Sequence, residues 1–278
     1  MKINRNVFRS SLSNAPGVTQ QHVGECLCWA RQRRLLPSHL RRMWLWDVMF
    51  GGALLDGKSD EELAFLALHV PQVDNMGCGV ACAQMVLRFC GVDQQLLDHL
   101  PMPCWTIDLY LFLREVGLDA TMHTLVAGMN PDNEGLAWYA QHLSSSTDVA
   151  RCHQQFNSAR TKGWEVEERS TSLAEVSARV AQHDTISICL VDGNRLNQQQ
   201  HLQQQHSISF AGFAGHFVVL VHFEESTGCF WCIDPAQQRD PHIRTFDKNF
   251  FEFARCAPGT DQDIIFIRSS AMTTVGTA

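Results

Sequence analysis

Cys78 sits between Gln72-Val-Asp-Asn-Met-Gly77 and Gly79, at the start of a run, VACAQMVLRFC, whose Val80, Met85, Val86 and Phe89 repeat at helical intervals. A thiol at a helix N-terminus meets unsatisfied backbone N–H groups and the positive end of the dipole. Both favour the thiolate, which is the nucleophile. Gly77 and Gly79 are expected to leave the backbone open to a substrate carbonyl. Gln72, six residues upstream, is placed to offer its amide as an oxyanion donor beside the Cys78 N–H. Far downstream, Gly215-His216-Phe-Val-Val-Leu opens a strand, and Cys-Ile-Asp234-Pro235 follows a turn at Glu224–Gly228. If Phe223 faces Cys229 across that turn, Asp234 lies opposite Val218 and becomes a same-face diagonal neighbour of His216. An Asp holding one imidazole nitrogen leaves the other to take a proton from a thiol.

Each of these residues also has a plain structural reading. A Cys that begins a buried helix is usually core, and a lone His in an apolar strand is usually a satisfied core histidine. Cys78, His216 and Asp234 together, with Gln72 upstream, point instead to thiol acyl chemistry. Cys229-Phe-Trp-Cys232 has CxxC spacing, but its cysteines fall on opposite faces of a strand and no second ligand pair accompanies them. Cys26, Cys28 and His22 read as packing rather than ligation, so no metal site is expected. Cys82, one helical turn after Cys78, is expected to pack beneath it.

The elements that must position these residues are legible in outline. Helices are predicted over VACAQMVLRFC, WTIDLYLFLREVGL, ARCHQQFNSARTKG and SLAEVSARVAQHD. Strands are predicted over TISICLVDG, GHFVVLVHF, GCFWCID and DIIFIRS. Helices before residue 185 and strands after it make a segregated α+β pattern with an antiparallel sheet. The Gln-rich stretch 197–206 reads as a flexible surface loop. Three parts are expected: a basic N-terminal extension over 1–65, a main domain over 66–270 and a flexible tail over 271–278. Ser38 is a plausible N-cap for a helix over 38–50, docked on the main domain or offered to a partner protein or a membrane surface.

Composition narrows the function classes. Of 278 residues, 18% are charged and the formal net charge is -7, against a dedicated nucleic-acid binder. Residues 1–50 carry eight Lys/Arg against two acids, which leaves 14 against 27 in the remainder. No apolar run is long enough for a transmembrane helix. Eleven cysteines, an odd number partly inside apolar runs, do not make a disulfide scaffold. With no secretory signal visible, a reducing, cytoplasmic location is expected. Lys2, Arg5, Arg9 and the serines of 1–24 keep a mitochondrial presequence as the alternative.

The order Gln-x5-Cys-Gly-x-Ala, then Gly-His-Phe-Val-Val-Leu, then Asp-Pro resembles the papain-like peptidases that process double-glycine leader peptides. That resemblance implies a papain-like fold with Gln72 as oxyanion residue, Cys78 as nucleophile, His216 as general base and Asp234 as its orienting partner. From Leu66 to Ser269, the stretches CGVACAQMVLRF, WTIDLYLFLREVG, GHFVVLVHF, TGCFWCIDPA and GTDQDIIFI resemble the eukaryotic guanylyl cyclase domain-containing family. This second resemblance implies that Trp105, Thr106 and Asp108 line a cleft. It also implies, through the family's name, formation of cyclic GMP from GTP.

Three readings follow. The main one is a thiol hydrolase acting on a peptide, isopeptide or thioester bond of a peptide or protein substrate. Its catalytic residues are Cys78, His216, Asp234 and Gln72, and Gly77, Gly79, Trp105, Asp108 and Gly215 lie on the substrate side; no cofactor is needed. The second is a guanylyl cyclase, which would need GTP and a divalent metal. Against it, no GxxxxGK[ST] loop or glycine-rich phosphate cradle is present and basic residues are scattered singly. The third is a non-catalytic binding or adaptor domain.

Overall fold

In the computed structural model, residues 59–92, 97, 100–142, 146–203, 212–238 and 242–269 are described. The expected helix over 38–50 and the 271–278 tail lie outside them. The described chain falls into two units, divided between Ala67 and Leu68. The first contributes helix α1 (Asp60–Leu66), whose Ser59 cap accepts from the Glu62 N–H while the Glu62 carboxylate accepts from the Ser59 N–H.

The second unit is a mixed α/β body around one seven-stranded sheet. Its elements in chain order begin with α2 (Cys78–Cys90), α3 (Thr106–Glu115), β1 (Asp119–Thr124), α4 (Ala137–His142), α5 (Ser146–Thr161) and β2 (Val166–Glu168). They continue with α6 (Leu173–Val180), β3 (Thr185–Asp192), α7 (Gly193–Gln203), β4 (Gly215–Glu224), β5 (Cys229–Ile233), β6 (Arg244–Asp247), α8 (Lys248–Arg255) and β7 (Ile264–Arg268). The strand order is β2-β1-β7-β3-β4-β5-β6.

Central strand β3 is buried along all eight residues, which is why TISICLVD reads as an unbroken apolar run rather than an alternating one. One face of the sheet carries Cys189, Val191, Val218, Leu220 and Cys232. These pack with Val176 and Val180 of α6, Leu196 of α7, and Phe251 and Ala254 of α8. Helix α2 packs against β4, so the segment that begins with Cys78 and the strand that begins with His216 are neighbours.

Several expectations change here. The sheet is not wholly antiparallel, because β1 and β2 pair in parallel. The helix-then-strand segregation also fails, since β1 and β2 precede residue 185 and α7 and α8 follow it. Strand β1 is short and polar, DATMHT, and owes its place to pairing with Ile264–Arg268 of β7. Residues 197–203 of the Gln-rich stretch are helical, as the last part of α7. Glutamine is a good helix former, and Asp192 starts the turn by accepting from the Asn194 N–H at 3.0 Å. Helix α8 was hidden by its aromatic-rich composition; its signal is Asp247, whose carboxylate accepts from the N–H groups of Asn249 and Phe250.

Candidate active site

The loop before Cys78 is fixed by its own polar groups. Asp74 accepts from the Met76 N–H at 2.8 Å, and its carbonyl accepts from the Gln72 amide nitrogen at 2.8 Å. Two further bonds tie Gln72 to the segment after β5: its N–H donates to the Pro235 carbonyl at 2.9 Å, and its carbonyl accepts from Gln238 at 2.7 Å. This brings the loop over the end of β5, where Asp234 lies.

Cys78 is the first residue of α2, 7% exposed, with Gly77 as N-cap and no side chain capping the helix. The free N–H groups of that first turn therefore face the thiol. Burial pushes the thiol pKa up, but the hydrogen bond and charge of His216 and the N–H groups of Phe217 and Gly79 outweigh it, and the net shift is downward. His216 opens β4. Burial opposes its charge, yet its hydrogen bonds to Asp234 and Cys78 raise the imidazole to about 10. The arrangement is that of a thiolate–imidazolium pair.

The third group is Asp234. Its Oδ1 lies 2.8 Å from His216 Nε2 and also accepts from the Ala236 N–H at 2.9 Å. With Nε2 engaged, Nδ1 is the imidazole nitrogen left for the thiol. Despite its burial, Asp234 is held well below the usual carboxylate range by His216, the Ala236 N–H and Arg244.

The hairpin reaches this geometry by a route different from the expected one. Glu224, not Phe223, faces Cys229, because the turn closes through a Gly228 N–H to Glu224 carbonyl bond with Gly228 at φ 68°. The pairing then slips by one residue between Leu220 and His222, and Val219 meets Ile233. One further step along the ladder puts Asp234 beside Val218, and His216 diagonal to it.

Arg244 is the residue that sequence reasoning missed. It lies on β6, 6% exposed, and donates from Nη1 to Asp234 Oδ2 at 2.5 Å and from Nη2 to Asn197 Oδ1 at 3.1 Å. Its guanidinium stacks over Phe246 at 4.7 Å. Nothing in the local pattern HIRTF marks an arginine as buried. Asn197, within the Gln-rich stretch, is legible only through α7.

The remaining predicted residues are placed as follows. Gln72 spends one amide N–H on its own loop, its Oε1 is buried without a partner, and the second N–H is what it has left for an oxyanion. Gly79 is packed rather than open: a β-carbon there would stand 3.3 Å from Cys104 and 3.4 Å from Leu109 and Phe217. Gly77 is likewise buried, under Val73 and Asp74. Gly215 lets the Trp138 ring approach to 3.1 Å of the position a β-carbon would occupy. Asp108 accepts from the Trp105 N–H at 2.8 Å and from Arg151 at 2.5 Å, which makes it a brace for the start of α3. Trp105 stacks on Tyr139 with ring centroids 5.9 Å apart. Cys82 is fully buried, and burial holds its thiol well above the usual range. All nine described cysteines are free.

A sequence profile described as guanylylate cyclase matches residues 67–267, the span that holds all of these groups. The chain belongs to the guanylylate cyclase family. Within the family it is similar to Guanylyl cyclase 1 of Arabidopsis thaliana, with 30% identity over 212 residues, 73% of this chain and 76% of that protein. Among the described residues of this family member, no three His, Cys, Asp or Glu side chains gather into a group able to hold a metal ion. No described helix is long and apolar enough to cross a membrane.

Proposed function

We propose that this member of the guanylylate cyclase family is an enzyme of thiol acyl chemistry on a papain-like scaffold, hydrolysing a peptide, isopeptide or thioester bond. The observation that carries the reading is the connected series Cys78, His216, Asp234 and Arg244, in which each group fixes the charge or orientation of the one before it. The Cys78 thiolate attacks the substrate carbonyl carbon, and the C=O electron pair moves to oxygen. The Cys78 and Gly79 end of α2, with the second Gln72 amide N–H, is the source of donors for that oxyanion. As the intermediate collapses, the His216 imidazolium gives its proton to the leaving amine or thiol. Neutral His216 then takes a proton from water, which attacks the thioester and regenerates Cys78.

A second reading, guanylyl cyclase activity on GTP, is favoured by the family's description and by the name of the Arabidopsis relative. Among the described residues no group of three or more His, Cys, Asp or Glu offers a divalent ion a site of its own. Arginines 151 and 244, near the site, are already engaged by Asp108 and Asp234.

One pair of measurements separates them. Limiting iodoacetamide near pH 6, with all cysteines mapped by mass spectrometry, should label Cys78 first in the native chain and lose that preference in His216→Ala. Cyclic GMP formed from GTP and Mg²⁺ at the same rate by the native chain and Cys78→Ala, with no preferential labelling, would replace the thiol reading by the cyclase one.

A further inference from the structure

Beside the catalytic groups, a cavity of about 50 Å³ opens among α3, α4 and the turn before β7. On this measure a water needs roughly 10–15 Å³, so the space takes a few waters or one small polar group. Cys104 and Phe217 form the wall nearest Cys78, since both also pack on Gly79, its chain neighbour. The opposite side is aromatic. Tyr139, fixed by its hydroxyl donating to the Gly259 carbonyl at 2.6 Å, stacks on Trp105, and Trp138 stands edge-on to both.

The polar lining is unusual in being unfinished. The buried Trp105 Nε1 has no partner, and the Thr106 hydroxyl (3% exposed) and Asp263 Oδ1 make no hydrogen bond of ordinary length, although the Thr106 and Thr124 hydroxyls stand close enough to the Asp263 carboxyl to favour its charged form. All three residues line the cavity. Orphaned buried polar atoms are costly and rarely left so without a reason. Asp261 is not among them, because its carboxylate accepts from Asn130 at 2.6 Å and from Asn133 at 3.1 Å. Two carboxylates and five aromatic rings line this space, and no lysine or arginine does.

We propose that this cavity is a recognition pocket for a positively charged group on the substrate, a primary ammonium or a guanidinium. The cation meets the open oxygen of Asp263 and the Thr106 hydroxyl, with the rings of Trp105 and Trp138 beside it; Tyr139 is already stacked between Trp105 and Phe213. The Trp105 indole N–H is left for an acceptor on the same ligand, such as a carbonyl or hydroxyl oxygen. Burial pushes the Asp263 carboxyl up to about 7, with nearby Asp261 adding to the shift and the Thr106 and Thr124 hydroxyls opposing it. An incoming cation supplies the counter-charge this carboxyl lacks. The inference rests on Cys78 being the nucleophile, since it makes the pocket a specificity site for that thiol.

The test uses two series of alkylating reagents on the full chain, with Cys78 labelling followed by mass spectrometry. Chloroacetamides whose ammonium group lies two, four or six carbons away are compared with neutral alkyl chloroacetamides of equal length. One cationic length should label Cys78 at least about tenfold faster than its neutral counterpart, a ratio corresponding to an ordinary buried cation–π and ion-pair gain. Free n-butylammonium should slow that reagent and leave the neutral one unchanged, which requires no variant. Asp263→Asn, if it melts like the native chain, should abolish the preference. Equal rates for cationic and neutral reagents at every length would overturn the pocket while leaving Cys78 reactive. A Cys78 that reacts with neither series would instead overturn the thiol reading itself.

Discussion

Arg244 closes on the oxygen of Asp234 that His216 does not use, so both ends of one buried carboxylate are occupied by cationic groups from different strands. Removing the arginine leaves the carboxylate buried with His216 as its one charged partner and its Oδ2 without the ion pair. Arg244→Met should cost about 3–5 kcal/mol of stability, the usual result of breaking a buried pair from one side. The depressed Asp234 carboxyl stabilises the fold above its unfolded pKa of 3.8, and that contribution is lost as pH falls through the folded value. In Arg244→Met the folded value rises, so urea unfolding followed against pH should show a smaller loss between neutral and acid pH than the native chain. An unchanged acid limb would show that Arg244 does not hold the charge on Asp234.

The thiol pair should leave its own signature in stability. His216, raised to about 10, contributes fully below its unfolded value of 6.5 and loses that contribution as pH rises through 10. Cys78, lowered, contributes fully above its unfolded value of 9.0 and loses it as pH falls through its folded value. The two slopes oppose each other below 9.0, over the part of the range above 6.5 in which Cys78 is ionised in the folded chain and still protonated in the unfolded one. The stability difference between the native chain and Cys78→Ser should therefore be flat across that interval and fall on both sides. Chemical denaturation at pH 5.5, 7, 8.5 and 10.5 measures it, and a maximum at either extreme would refute the ion pair.

Reactivity should follow the same pair. At pH 6 a thiol returned to the ordinary or raised range holds at most about three parts in a thousand as thiolate. His216→Ala should consequently slow iodoacetamide labelling of Cys78, by about tenfold for each unit by which the thiol pKa rises. Cys82, one turn along α2 and raised by burial, should stay unlabelled in both proteins until they unfold.

Gly79→Ala tests the packing beneath the nucleophile. Its new β-carbon would crowd Cys104, Leu109 and Phe217 at 3.3–3.4 Å, and the overpacking should cost about 1–2 kcal/mol after the helix gains from alanine. Gly135→Ala, with nothing within 4 Å and no positive φ, should be close to neutral. Urea midpoints for the two variants give the comparison, and equal midpoints would mean that the α2–β4 contact yields freely.

The sequence by itself determined the long apolar elements α2, α3 and β3 and the start of β4, because their periodicities reflect burial along continuous stretches of chain. It also placed Cys78 at a helix start and His216 at a strand start, since these positions depend on neighbours a few residues away. Strand β1 was not legible, because its state comes from pairing with distant β7, and in the Gln-rich part of α7 the polar composition masked a helix that Asp192 starts locally. The link between His216 and Asp234 was reached from an assumed pairing of Phe223 with Cys229. In the structure the turn begins one residue later, and the slip between Leu220 and His222 restores the alignment. A β-bulge adds a residue to one strand without leaving a local mark in the sequence, so only the assembled sheet fixes the register. Arg244 belongs to the same class. Its charge is satisfied by Asp234 and Asn197, which only the packing of β5, β6 and α7 brings together.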